Sequence, residues 1–320
     1  MKTLDAIQNI AIIRRNGLGD VLCSIPLVLR CKELMPNAKV TLFLEESGFL
    51  LAPYLQGPDE IALIPPSRNK YFGIAKLGWQ RRSESFDLAI SAKTSPMKLM
   101  NVSLFALRAK ERAAYVEGKW YDRFVNRAKI FEKDALIHQA LQAIQLIDPE
   151  MSELPQRLHP KLRSVRKEKL FEKKTLFISV SNNRAGSMLD LERIASLLNK
   201  LASIQNFAVA ISCLSKDIDK AERLSSLFQM QHSVFVTEQF SQFLTLLNSA
   251  DAIFTGDGGI VHLAAALEKP SLCLFGGTKV EQWGPLSNQA IVLSHAGHIM
   301  QIPEENILEK LKQLLELVEK

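Results

Sequence analysis

Twice in this chain of 320 residues a short apolar run ends in a glycine turn that opens a helix, and no other feature constrains the fold as much. The first run, residues 10–14, ends at Asn16-Gly17-Leu18-Gly19-Asp20, after which Val21, Leu22, Ile25, Leu27, Val28 and Leu34 recur at helical spacing up to Pro36. The second, residues 252–255, ends at Gly256-Asp257-Gly258-Gly259-Ile260-Val261-His262. A buried strand passing through glycines into a helix is the opening of a βαβ unit, so the sheets should be parallel and the fold α/β. Strands are expected at 40–44, 61–64 and 86–90 in the first half. In the second half they are expected at 175–180, 207–211, 234–237 and 271–275, with helices at 190–201, 216–227, 240–250 and 260–267.

Between the halves, residues 148–174 carry Pro149, Pro155 and Pro160 and then a basic run from Lys161 to Lys174, which reads as a solvated connection. Because the chain exceeds the roughly 100 to 200 residues of an ordinary domain, two domains are expected, 1–160 and 161–320. Residues 304–318 place Ile307, Leu308, Leu311, Leu314, Leu315 and Val318 on one face of a terminal helix, available to pack back on the first domain.

Several function classes fall away on composition. No apolar run approaches the roughly 18 residues that a membrane-spanning helix needs, and the amino terminus has an acid and amides where an export signal has its apolar run, so a cytoplasmic protein is expected. Cys23, Cys31, Cys213 and Cys273 stand singly among apolar neighbours, as buried thiols do, with neither disulfide nor metal-ligand spacing. A formal charge of +6 calls for an acidic partner, yet no nucleic-acid module is visible, which leaves an anionic membrane surface or a phosphorylated substrate.

Both glycine turns fall where ligands of open α/β sheets bind. At the first, Gly17-x-Gly19 and the acids Glu45 and Glu46 suggest a dinucleotide site, but Leu22 stands at the third glycine position. Asp20 would also set a carboxylate where a pyrophosphate needs donors. An anion at a helix N-terminus, aimed into the crevice, suits a general base instead, or simply a helix cap. At the second turn the amides of Gly258 and Gly259 can approach phosphate oxygens with no Cβ in the way. Asp257 is available to cap the helix or to bind sugar hydroxyls, and His262 to orient the turn or to sit in the core.

Residues 14–26 (RRNGLGDVLCSIP) and 254–285 (FTGDGGIVHLAAALEKPSLCLFGGTKVEQWGP) together resemble the bacterial heptosyltransferases, which add heptose to the inner core of lipopolysaccharide. The first segment matches the family's Gly-Asp-Val turn and later Pro; the second matches its Asp, Gly, His, Ala and Pro signature and the Phe-Gly pair after the next strand. The resemblance spans nearly the whole chain. It implies two Rossmann-like doubly wound domains facing across a cleft (GT-B), the first binding the acceptor and the second a nucleotide sugar. It implies an inverting transfer without metal or cofactor, from an ADP-heptose donor to an anionic glycolipid, by an enzyme with peripheral contact at the inner membrane face. Asp20 would then be the base, with Asp257, Gly258, Gly259 and His262 in the donor motif and Asp217 near the ribose.

Lacking a metal, such an enzyme must meet the leaving diphosphate with amides, hydroxyls and basic side chains, for which Ser181, Asn182, Asn183 and Arg184 are placed after the first strand of the second domain. Arg14 and Arg15 would hold acceptor anions; Arg108, Lys110, Arg112, Arg123 and Arg127 are further basic residues of the first half. Ser187 stands where the family often has a donor-contacting Lys, and Gly258 where it has a hydroxyl residue. Those departures keep open a catalytically silent member that binds glycolipid or protein, and a nicotinamide-dependent oxidoreductase is the remaining alternative.

Overall fold

The computed structural model describes residues 6–15, 17–182 and 186–318. The chain forms two compact units, Met1–Pro160 and Lys161–Lys320, and among the described residues each holds one six-stranded parallel sheet. The first is built from β1 (Asn9–Arg14), β2 (Lys39–Leu44), β3 (Glu60–Leu63), β4 (Leu88–Ser91), β5 (Glu111–Val116) and β6 (Arg127–Ile130), in the order β3-β2-β1-β4-β5-β6. The second is built from β7 (Lys174–Ser179), β8 (Phe207–Cys213), β9 (His232–Val236), β10 (Ala252–Gly256), β11 (Ser271–Gly276) and β12 (Ala290–His295), in the order β12-β11-β10-β7-β8-β9. Strand order therefore reverses between β1 and β4 and between β10 and β7. At such a switch point the connections leave to opposite sides and open a crevice at the carboxyl ends of the two strands.

The central strands are covered on both faces, which is why they read as continuous apolar runs. One face of the first sheet packs Ala11, Ile13, Phe43 and Ala89 against Leu77, Met100 and Leu104, with Phe43 and Phe86 edge to face at 5.9 Å. In the second unit, Leu176, Val209 and Leu272 share a core with Ile194, Leu198 and Leu201. The terminal helix Glu304–Leu317 buries Ile307, Leu311, Leu314 and Leu315 in that same core. The apolar face considered free to pack on the first domain is thus used inside the second unit.

Three strands escape the sequence pattern: β5, β6 and β12. β5 opens on Glu111-Arg112, and β6 (RAKI) alternates charge with apolar residues at a sheet edge. β12 is an edge of the other sheet and has no fully buried residue. An edge strand with wetted residues lacks the continuous apolar run of a central strand, and the buried middle of β5 is the small pair Ala113 and Ala114 before Tyr115. The helix expected to run unbroken from the first turn to Pro36 is two, Leu18–Leu22 and Ile25–Leu34. Pro26 has no N–H to offer the Leu22 carbonyl, so the ladder stops there; Cys23 N–H closes the first helix on Gly19 O and the Ser24 hydroxyl donates to Val21 O at 2.6 Å.

The basic connection is laid along the second unit by the Leu162 N–H to Ala266 O and by the Glu168 N–H to the Ser249 hydroxyl, 2.8 Å. All four cysteines are buried and none forms a disulfide. Among the described residues no helix is long and apolar enough to cross a membrane.

Candidate active site

The first crevice opens where β1 and β4 lie side by side, with Ile13 opposite Ser91. Asp20 is the third residue of helix Leu18–Leu22, whose N-cap is Gly17 with no side-chain cap bond. Asp20 therefore sits inside the first turn and not at the N-cap position. Its carboxylate pairs with the Arg14 guanidinium, which is almost wholly buried, and Arg14 Nη1 donates to the Ala92 carbonyl just past β4 at 2.7 Å. One arginine thus ties the carboxylate after β1 to the backbone after β4, fixing its direction, while the Asp20 side chain keeps 24% of its surface exposed and so can meet a ligand.

Lys93 follows Ala92 and carries no motif of its own; the one signal it offers in sequence is its place two residues beyond a strand end. Burial first and then the neighbouring Arg14 lower its pKa, with Asp20 opposing. An ammonium whose charge is that poorly solvated is available to an anionic ligand. Thr94, next in the chain, is hydrogen-bonded to Gln139.

Arg15 faces the other side of β1. It pairs with Glu45, and among the described residues its buried Nη1 has no hydrogen-bond partner, nor does Nε of Arg14. Arg15, Glu45, Glu46, Ser47, Ser67 and Lys70 line an open cavity of about 390 Å³ together with Ile64, Pro65 and Pro66. Glu45, one of the two acids that resembled a ribose site, is accordingly engaged with a cation of the protein itself.

The second crevice opens between β7 and β10. Asn182, after β7, donates from Nδ2 to the Asp257 carbonyl after β10 at 3.3 Å, bridging the two loops. Asp257 is buried, its N–H bound to Leu274 O at 2.8 Å. The N-cap of helix Gly259–Ala266 is Gly258, at φ 159° and ψ −168°, again without a side-chain cap. That backbone angle is rarely open to residues with a Cβ, although a Cβ on Gly258 would meet nothing closer than the Asn182 amide at 3.7 Å. The Val261 N–H donates to Gly258 O at 3.2 Å, and the start of a helix is where amides without an intrahelical acceptor can meet an anion.

Ser187 lies against the same turn: a Cβ on Gly256 would fall 1.6 Å from the Ser187 carbonyl, so the strand end can only be glycine. The Ser187 side chain is buried. Ser181 donates to Asp217 Oδ2 at 2.7 Å and accepts the Leu214 N–H at 3.0 Å. The Lys220 ammonium, 2.7 Å away, and then the Ser181 hydroxyl hold the Asp217 carboxyl below its usual range, so it acts as an acceptor at neutral pH. His262 is buried on its helix. Asn183 and Arg184 lie outside the described residues. No group of three or more His, Cys, Asp or Glu side chains among the described residues is arranged to hold a metal.

Two doubly wound sheets in one chain, each with a glycine-bearing turn at its switch point, define the GT-B class. Over residues 75–313 the chain matches the model of glycosyltransferase family 9 (heptosyltransferase). It is 24% identical, over 96% of its length and 99% of the relative's, to the lipooligosaccharide heptosyltransferase 2 of Haemophilus influenzae. Its fold matches the family 9 glycosyltransferase of Veillonella parvula at a TM-score of 0.82, with 14% identity and 98% and 99% of the two chains covered. It also matches the E. coli ADP-heptose lipopolysaccharide heptosyltransferase II at a TM-score of 0.78, with 19% identity and 98% and 100% covered. The chain belongs to glycosyltransferase family 9. The family match covers the second turn and begins after the first, so the role of Asp20 rests on the crevice itself.

Proposed function

We propose that this transferase moves a heptose from an ADP-activated donor to an anionic lipopolysaccharide core at a membrane face, by direct displacement and without a metal. The observation that carries the reading is the pairing of two unlike sites at the two switch points: a fixed carboxylate with cations beside it in the first unit, and a glycine anion cradle in the second. The relatives' names supply the donor class. The acceptor hydroxyl loses its proton to Asp20 as its oxygen bonds to the anomeric carbon, and the bond from that carbon to the diphosphate oxygen breaks. Charge left on the diphosphate is met by the amides of Gly258 and Gly259 and by side chains after β7. Asp217, held by Ser181, accepts a hydroxyl of the nucleotide ribose. Arg14 is a positioning residue for Asp20, and Arg15 with Lys70 receives an acceptor anion, which would satisfy the orphaned Nη1.

A screen of nucleotide sugars for thermal stabilisation of the purified protein tests the donor, since a ligand at 100 times its Kd stabilises by roughly 2.7 kcal/mol. Stabilisation by ADP-heptose above ADP alone supports the reading; stabilisation by NAD, or by no nucleotide sugar at all, would overturn it.

Arg184 is proposed to supply the charge that the family's Lys would have given at Ser187. Arg184→Ala is expected to raise the barrier measured by kcat/KM by roughly 2 to 4 kcal/mol, with Arg184→Lys recovering part of it. An Ala variant within about threefold of wild type, under about 1 kcal/mol, removes Arg184 from the mechanism.

A further inference from the structure

The chain has 23 aromatic residues counting Phe, Tyr and Trp (16, 4 and 3). The large exposed ones among the described residues, Tyr71, Phe72, Trp79, Phe105 and Trp120, all belong to one layer of the first unit. That layer consists of helix Lys70–Gln80, helix Lys98–Ala106 and the 3-10 turn Trp120–Phe124. On the first helix Gly73, Ile74 and Leu77 face inward, which turns Phe72 (66% exposed), Lys76 and Trp79 (64% exposed) outward.

Cations lie over most of the exposed rings, and Lys98 bridges two of the three elements. The Lys98 ammonium lies 5.3 Å from the Tyr71 ring and 4.7 Å from that of Trp120. Arg123 lies 5.2 Å from Trp120 and from Phe124, and Phe124 packs on Phe105 at 5.0 Å. Arg82 covers Trp79 at 4.3 Å, and the backbone of Gly78 closes on Ala106. Residues 68–82 carry Arg68, Lys70, Lys76, Arg81 and Arg82, and residues 93–110 carry Lys93, Lys98, Arg108 and Lys110; neither stretch has an acid. Arg81 and Lys110 are paired with Glu60, Glu84 and Asp87 from outside these stretches, so the cations that matter to the surface are those among the rings, Lys76, Arg82, Lys98 and Arg123.

Scattered exposed apolar residues are ordinary, but a confined set of Trp, Tyr and Phe rings interleaved with cations is not. Rings of that kind settle at the level of lipid headgroups, and Lys and Arg beside them are drawn to anionic lipid. We propose that this aromatic and basic layer docks the protein on the surface of an anionic bilayer. The attachment does not rest on the sugar transferred, and it places the first unit, not the terminal helix, against the lipid.

The test is sedimentation of the whole protein with vesicles free of glycolipid and nucleotide, made of phosphatidylcholine alone or of equal parts phosphatidylcholine and phosphatidylglycerol. Binding to the anionic vesicles is expected, at least about tenfold weaker on neutral vesicles and at high salt, with tryptophan emission moving to the blue. Trp79→Ser with Trp120→Ser, and separately Lys76→Glu with Lys98→Glu, should each weaken it by about tenfold or more with unchanged thermal melting and ADP affinity. The exposed Leu136→Ser and Ile204→Ser should not. Wild-type protein that stays in the supernatant, variants that sediment as wild type does, or sedimentation that appears only with acceptor glycolipid or an acidic protein present would each overturn the proposal. Because donor and acceptor are absent from the vesicles, its failure leaves the transferase reading standing.

Discussion

Asp20→Asn is expected to lower kcat by roughly 10² to 10⁴, the scale of losing a general base, while leaving donor affinity near that of wild type. Asn is the informative replacement because its Oδ1 still accepts from the Arg14 guanidinium that the carboxylate pairs with. Arg14 is buried and its Nε has no partner among the described residues, so removing the charge opposite it should cost roughly 1 to 3 kcal/mol of stability. Steady-state kinetics and denaturant titration of the same preparation separate the two effects. Near-normal turnover would show that the acceptor proton goes elsewhere, with Lys93, whose charge is coupled to Asp20, the next group to replace. A loss confined to donor affinity would make Asp20 a binding residue.

Gly258→Val should abolish measurable donor binding. Two causes act together: a branched side chain enters the path by which phosphate reaches the helix amides, and φ 159° is an angle such a residue rarely adopts. The second alone costs on the order of 1 to 3 kcal/mol. Gly258→Ala separates them, since its Cβ would have ordinary van der Waals room beside Asn182. The Ala variant should be folded, slightly destabilised and weaker in donor affinity by calorimetry; unchanged affinity in a folded Ala or Val variant would place the diphosphate away from this turn. The usual hydroxyl residue at this point cannot simply be restored either, because the turn has taken a backbone angle that glycine permits.

Much of the fold and part of the site are legible in the amino-acid sequence. Nine of the twelve strands announce themselves as apolar runs, the central ones because side chains on both faces must be apolar, and both glycine turns fall at the switch points of the two sheets. What stays hidden are the edge strands β6 and β12, whose wetted residues dilute the apolar signal, and β5, which opens on Glu111-Arg112 and fills its buried middle with the small Ala113 and Ala114. The break at Pro26 shows the opposite failing: helical spacing persists through Cys23 and Ser24 although the hydrogen-bond ladder cannot.

Local pattern, then, by itself determined the α/β class, the two sheets and the positions of the turns, because strand burial and glycine geometry act within a few residues. Only tertiary structure decided how the charges pair. Arg14 reaches across to Asp20 and Ala92, Arg15 is engaged with Glu45, and Ser181 and Lys220 converge on Asp217. Lys220 and Asp217, three residues apart at one helix start, are a local pair, whereas Arg14 with Ala92, Arg15 with Glu45 and Ser181 with Asp217 join segments that follow different strands and so leave no mark on neighbouring sequence. The same holds for the exposed rings. Tyr71 and Trp79 lie on a helix whose Gly73, Ile74 and Leu77 are buried, which leaves its aromatic side to the solvent, and Phe105 and Trp120 are exposed on the neighbouring helix and turn. A residue type states what a side chain prefers; which preference is met depends on which neighbours arrive from elsewhere in the chain.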